Sequence, residues 1–277
     1  MTTNILKLAA FSQGDQGGNP AGVWLGDYLP DEITMQRIAA DVGFSETVFA
    51  APLADGFRVR YFSPETEVPF CGHATIALGA ALAGQYGDGV FNLTLNQAQI
   101  SVEGHAQGEL ISAALQSPPT HSEPVDPALL DEALELFGYG LTDLDARIPP
   151  ALINGGTQHL VLALNSRDKL RAMTYDQQRG RELMVRAGWV TLVLVYCENL
   201  QLFHTRNAFA YGGVYEDPAT GAAAAAFAGY LRDLGWTHSG HIDIVQGEDM
   251  GSGSRLRAEI PEHKGSSIRV SGMARRL

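Results

Sequence analysis

Three side chains stand where chemistry is most readily done. Glu46 opens an otherwise apolar segment, between Phe44 and Val48-Phe49. A carboxylate so placed would be partly desolvated, the condition under which a carboxyl group can trade protons near neutral pH. Read alone, it could equally end a strand and point at water. His73 falls at the start of an apolar helix, where free backbone N–H groups and the positive end of the helix dipole favour a neutral imidazole and an anion. The plainer alternative is a capping side chain. Asp217 precedes Pro218 at the start of a second apolar helix, and its sequence position alone reads as an N-cap. Two thiols, Cys71 and Cys197, raise the chemistry of a racemase that uses one thiolate to remove a proton and a thiol to return it. Cys197 ends a strand rather than opening a matching helix, so the pair is not expected to act together. His238 and His241 have the nearest thing to metal-ligand spacing, but they lie in a Gly/Ser-rich turn with only Asp243 nearby, and no metal site is expected there.

Two elements must position these groups. Arg60 to Ala83 reads as a strand, a turn and a helix apolar on every side, and a helix apolar all round is buried all round. Tyr215 to Gly235 repeats the theme about 145 residues on, with Gly235 as a helix stop. The chain therefore reads as two copies of one architecture, each a sheet wrapped around a central helix.

In order, a strand is expected from Asn4 to Phe11, a glycine-rich loop from Ser12 to Ala21, and a strand from Gly22 to Leu25. The loop lacks the spacing and lysine of a phosphate-binding loop. A helix over Asp31 to Val42 leads to a strand ending at Ala51, and Phe57 to Phe62 alternates as a strand. Strands are expected over Val90 to Leu95, Gln99 to Glu103 and Glu109 to Leu115. The Pro-rich Ser117 to Pro124 reads as a break, so the lobes are placed at 1–116 and 117–277, with the last strand free to return to the first lobe. Amphipathic helices are expected over Pro127 to Gly138 and Tyr175 to Ala187. Strands are expected within Ala151 to Leu164, then over Val190 to Tyr196, Leu200 to Arg206, His241 to Gln246, Ser254 to Ile260 and Ser267 to Ser271. Outside the central helices no residue-level identity between the halves is evident, and Glu65 and Glu67 read as solvating a turn.

With 19 basic and 31 acidic residues and a net charge of −12, the chain repels nucleic acid and anionic membranes. Its longest strand-like apolar run, Trp189 to Tyr196, is far short of the roughly 20 residues that span a bilayer. Two cysteines, and a start without the basic-then-apolar layout of a signal peptide, suggest a cytoplasmic protein with reduced thiols.

Taken together, Gly18-Asn-Pro-Ala-Gly-Val23, Ser45-Glu-Thr-Val-Phe49, Phe62-Ser-Pro-Glu-Thr-Glu-Val-Pro-Phe-Cys-Gly-His-Ala-Thr75 and Glu216-Asp-Pro-Ala-Thr-Gly-Ala222 resemble the PhzF-like phenazine biosynthesis family, in order and spacing over nearly the whole chain. The resemblance implies an α+β diaminopimelate epimerase-like fold: two pseudo-symmetric lobes, each a curved sheet or barrel around a central helix, with the active site between them and the two helix N-termini facing it. It implies a cofactor-free isomerase that moves a proton on a small carboxylate-bearing substrate, and a homodimer. Glu46 would be the acid/base, with His73 and Asp217 assisting. Gly72 and Gly221 would offer backbone N–H groups to the substrate carboxylate, and Asn19 and Ala222 would line the substrate. The family commonly has a serine where this chain has Ala222, and Gly-Arg-Pro-Ser where it has Gly251-Ser-Gly-Ser254. Both departures fall at or near the expected pocket, so the resemblance does not fix the phenazine intermediate as the substrate. The alternatives are a racemase using Cys71, and a small-acid binding protein that kept the fold and lost the chemistry.

Overall fold

The computed structural model describes residues 5–107 and 110–277. Asn4 and Glu109, where two of the expected strands begin, lie outside them. In chain order the elements are β1 (Leu6–Ser12), β2 (Asn19–Leu25), α1 (Glu32–Val42), β3 (Glu46–Leu53), β4 (Gly56–Phe62), β5 (Glu67–Val68), α2 (Gly72–Tyr86), β6 (Gly89–Thr94), β7 (Gln99–Gln107), β8 (Leu110–Pro119), β9 (His121–Pro124) and α3 (Pro127–Phe137). There follow β10 (Ala151–Asn154), β11 (Gln158–Leu164), α4 (Arg167–Arg171), α5 (Gln177–Ala187), β12 (Thr191–Cys197), β13 (Leu202–Ala208), β14 (Glu216–Asp217), α6 (Gly221–Asp233), β15 (His241–Gln246), β16 (Ser254–Glu259) and β17 (Ser267–Arg276). The chain divides into one unit that runs to Gln116 and takes back Val270–Leu277, and a second, Ser117–Arg269.

In the first unit the strands close on themselves. β8 pairs β7, β7 pairs β6, β6 runs parallel to β4, and β4, β3, β2 and β1 follow in turn. β17 then pairs both β1 and β8, which completes an eight-stranded barrel. Helix α2 fills it: every residue from Gly72 to Ala83 is buried, and Ala77, Leu78 and Leu82 pack against Val23, Val48, Val59 and Val102. Small side chains let the wall approach. A Cβ on Gly104 of β7 would lie 2.3 Å from the Gly79 carbonyl oxygen, closer than any real contact, so only glycine fits there. The period-2 alternation of β3 sends Val48 and Ala50 inward and Phe49 outward, where it meets Met35, Ile38 and Ala39 of α1. α1 is fixed by its ends: Asp31 Oδ1 accepts from Thr34 N at 2.8 Å, and Gly43 takes the left-handed conformation at φ 72°.

The second unit repeats the strand pairing step for step. In the first, β1–β2 is antiparallel, β2–β3 parallel, β3–β4 and β4–β5 antiparallel, β4–β6 parallel and β6–β7 antiparallel. In the second, β10–β11, β11–β12, β12–β13, β13–β14, β13–β15 and β15–β16 follow the same sequence of directions. α6 is buried from Gly221 to Arg232 and packs on β9, β10, β11, β15 and β16. The turn at Gly155 presses on it so closely that a Cβ there would meet Ala226 N at 2.9 Å. The leucines of β11 and β12 (Leu160, Leu162, Leu192, Leu194) face α3 and α5 instead.

Four expectations change. The glycine loop is shorter, because β1 runs to Ser12 and Asn19 and Pro20 already pair with Ala10 and Ala9. The Pro-rich Ser117 to Pro124 is strand on both sides of Thr120, since proline gives up only its N–H and keeps an extended φ. The last strand runs to Arg276, five residues beyond Ser271. Asp217 is not the helix cap: it lies in β14 opposite Asn207, and α6 starts at Gly221 with Thr220 in the cap position. Proline disfavours the helical conformation in the residue before it, which keeps Asp217 extended.

Identity between the halves also goes beyond the helices. Phe62 of β4 faces Glu67, and Arg60, two residues earlier, donates to Glu67 at 2.7 and 2.6 Å. Ala208 of β13 faces Glu216, and Arg206, two residues earlier, donates to Glu216 at 3.0 and 2.5 Å. Each bidentate pair ties the short strand before a central helix to the sheet. Glu67 therefore does not merely solvate a turn, and the Arg60 guanidinium holds its carboxyl below the usual carboxylate range.

Candidate active site

The first residue of β3 and the first turn of α2 bring Glu46, His73 and Cys71 together. Glu46 is 6% exposed, and its Oε2 lies 3.4 Å from His73 Nε2. That oxygen is buried and has no hydrogen-bond partner of good geometry. Ser45 Oγ also stands 3.4 Å from Nε2, and Cys71 Sγ stands 3.3 Å from Nδ1, the other ring nitrogen. A thiol donating to Nδ1 leaves the ring proton on Nε2, where Ser45 Oγ can accept it. The opposite tautomer would set the Nε2 lone pair against the carboxylate oxygen. The turn that carries the imidazole is pinned: Thr75 Oγ1 donates to Cys71 O at 2.7 Å, and the buried Tyr61 hydroxyl lies 2.7 Å from Thr75 Oγ1. Burial pushes the Tyr61 phenol well above its ordinary range, so it stays a neutral partner.

In the second unit Asp217 is 4% exposed, and its Oδ2 accepts from Thr220 Oγ1 at 2.5 Å. Gln246, fully buried on β15, holds this turn from behind. Its Nε2 donates to Asp217 O at 2.7 Å and lies 3.0 Å from Thr220 Oγ1, while its Oε1 accepts from Thr220 N at 3.1 Å. Arg206, clamped to Glu216, also donates to Arg171 O at 2.8 Å and Met173 O at 3.3 Å, so β14 is anchored to the chain after α4. Thr205 Oγ1 and Asn207 Oδ1 are buried without hydrogen-bond partners and line, with Gln246, Ala223 and Ala224, a small cavity beside α6.

Of the expected site residues, Glu46, Gly72 and His73 adjoin in the first unit, and Asn19 is buried at the start of β2. Asp217, Gly221 and Ala222 adjoin in the second. Gly72 and Gly221 are the first residues of α2 and α6, where backbone N–H groups have no acceptor within the helix. Sequence reasoning kept Cys71 only as the base of an alternative racemase, and it missed Ser45, Gln246 and Asn207. His238 makes only a local turn contact from Gly240 N, whereas Glu46, Cys71 and His73 form the one group of potential metal ligands among the described residues.

The chain matches the family described as "Phenazine biosynthesis-like protein" over residues 8–276. It belongs to that family. It is 32% identical to an uncharacterized isomerase of Mesorhizobium japonicum, over 99% of this chain and 96% of the relative. It is 31% identical to the trans-2,3-dihydro-3-hydroxyanthranilate isomerase of Pseudomonas aeruginosa, over 96% and 94%. Among solved structures, a PhzF-family phenazine biosynthesis protein of Bacillus anthracis superposes with a TM-score of 0.85 at 21% identity, over 99% of this chain and 96% of that one. A probable proline racemase of Agrobacterium radiobacter shares the fold at a TM-score of 0.68 and 12% identity, over 99% and 90%. The protein is thus an isomerase on the PhzF and proline-racemase fold. Among the described residues no helix is long and apolar enough to cross a membrane.

Proposed function

We propose that the protein moves a proton on a small carboxylate-bearing substrate by general acid/base catalysis without a cofactor, with Glu46 as the acid/base. One observation carries this: a carboxylate oxygen nine-tenths buried, without a hydrogen-bond partner, facing an imidazole at the mouth of a buried helix. Such an oxygen is kept ready for a substrate C–H. His73, with Nε2 3.4 Å from Glu46 Oε2, steadies the carboxylate. The N–H groups opening α2 suit a substrate carboxylate, since a helix end favours an anion by roughly 1 kcal/mol when partly buried. Asp217, steered by Thr220 and Gln246, assists in proton handling. Ala222 puts a methyl where the family commonly has a serine hydroxyl, so the substrate is a relative of the dihydroanthranilate rather than that compound. Incorporation of solvent deuterium into candidate cyclic and α-amino acids tests this. Wild type exchanges a C–H of its substrate, whereas a non-catalytic binder exchanges none.

A second reading takes Cys71 as the base, because its sulfur lies 3.3 Å from an imidazole nitrogen and the fold is shared with a proline racemase. The two readings part at Cys71→Ser, which the racemase reading requires to be inactive.

A further inference from the structure

We propose that Glu46, His73 and Cys71 form a binding site for one thiophilic divalent cation, of which Zn2+ is the type, and that its occupation blocks the acid/base. The three donors are a thiol, an imidazole nitrogen and a carboxylate oxygen, all within 4.8 Å of one another and at least nine-tenths buried. This mixed set is the one zinc takes from proteins. Magnesium and calcium, which demand oxygen, have no claim on a site with a sulfur ligand. Metal bonds of roughly 2.0–2.3 Å in a tetrahedron set ligand atoms about 3.3–3.6 Å apart. Glu46 Oε2 and His73 Nε2, at 3.4 Å, already meet that spacing. The three donor atoms already lie within 4.8 Å of one another, and Cys71, extended and just outside the helical turn, closes the rest by a side-chain adjustment. The Glu46 oxygen has no hydrogen bond to give up. Ser45 and Phe70, next in the chain to Glu46 and Cys71, are half-buried. Three protein ligands leave a fourth position for water. On binding, the Cys71 S–H bond breaks, the sulfur–metal bond forms and one proton passes to the buffer.

Occupation removes the free oxygen on which proton transfer depends. The cation site itself stands independently of the proposed function; only the expected inhibition rests on it. The test is titration of ZnCl2 into untagged, chelator-treated full-length protein by calorimetry, in two buffers of different ionisation enthalpy. One tight site with proton release is expected. Cys71→Ser and Glu46→Gln should weaken it by more than the roughly 10–100-fold that loss of an outer-sphere partner costs. Cys197→Ser should leave it unchanged, and exposed clusters such as His105 with Glu103 and Asp88 should contribute only weak sites common to all variants. Co2+ should give the near-ultraviolet thiolate charge-transfer band in wild type and in Cys197→Ser, and not in Cys71→Ser or Cys71→Ala, with circular dichroism confirming that these fold. Zinc affinity equal in wild type and both Cys71 variants, or Co2+ binding without the thiolate band, overturns the site. Tight thiolate-marked binding that leaves deuterium exchange untouched sustains the site and overturns Glu46 as the acid/base.

Discussion

His159 makes folding stability depend on pH in a way that can be isolated. It lies on β11 with no exposed surface, Nε2 3.0 Å from Thr157 Oγ1 and Nδ1 2.7 Å from Thr191 Oγ1. No carboxylate compensates a charge there, and burial pushes its pKa down to about 3 from the ordinary 6.5. Below pH 6.5 the unfolded chain binds a proton at this residue that the folded chain refuses. Stability attributable to it is therefore complete above pH 6.5 and is lost as pH falls towards 3. The slope is about 1.4 kcal/mol per pH unit, and integrating between pH 7 and pH 5 gives a loss of about 2 kcal/mol from this residue. His159→Gln keeps a neutral polar group of similar reach and cannot take the proton. Urea unfolding of wild type and variant at both pH values isolates the effect, because every other titration cancels in the double difference. The variant is less stable at pH 7, having lost packing, but should lose about 2 kcal/mol less than wild type on acidification. Equal losses in the two proteins would refute the assignment of a neutral, uncompensated imidazole.

Two predictions concern the site. Asp217 is a strand residue rather than a helix cap, so Asp217→Asn, which keeps an acceptor for Thr220 Oγ1 and the pairing with Asn207, should change stability by less than about 1 kcal/mol while turnover falls; thermal unfolding and exchange rates measured together check both halves. Cys71→Ser keeps a donor for His73 Nδ1 and should cost no more than about tenfold in exchange, whereas Cys71→Ala, which frees the tautomer, should also shift the pH profile.

Much of this was legible in the residues. A helix that is apolar all round announces its own burial, so α2 and α6, and with them the doubled architecture, follow from pattern alone. What local pattern could not reach is pairing across distance. β5 and β14 are two residues long, too short for any period, yet they decide that Asp217 is extended and that Thr220 opens the helix. The Asp-Pro pair imitates an N-cap followed by a first-turn proline, and only the strand partner Asn207 reveals the difference. The two Arg–Glu clamps are legible once register equates Arg60 with Arg206. Cys71 and His73, two apart, would not face each other within a helix. They meet because Cys71 is extended, at φ −141° and ψ 116°, and stands just outside the helical turn that carries the histidine. The match of register also shows that Glu46 has no counterpart in the second unit: where β3 opens with Glu46 opposite Ala21, β12 opens with Thr191 opposite His159.

The most direct test of the account is solvent deuterium exchange into an identified substrate by wild type and by Glu46→Gln, followed by NMR, with binding measured separately. The amide keeps the shape and the neighbours of the carboxylate but cannot take a proton. The account predicts similar affinity and at least about a hundredfold slower exchange, the usual contribution of a positioned general base. Exchange by Glu46→Gln at close to the wild-type rate would contradict it.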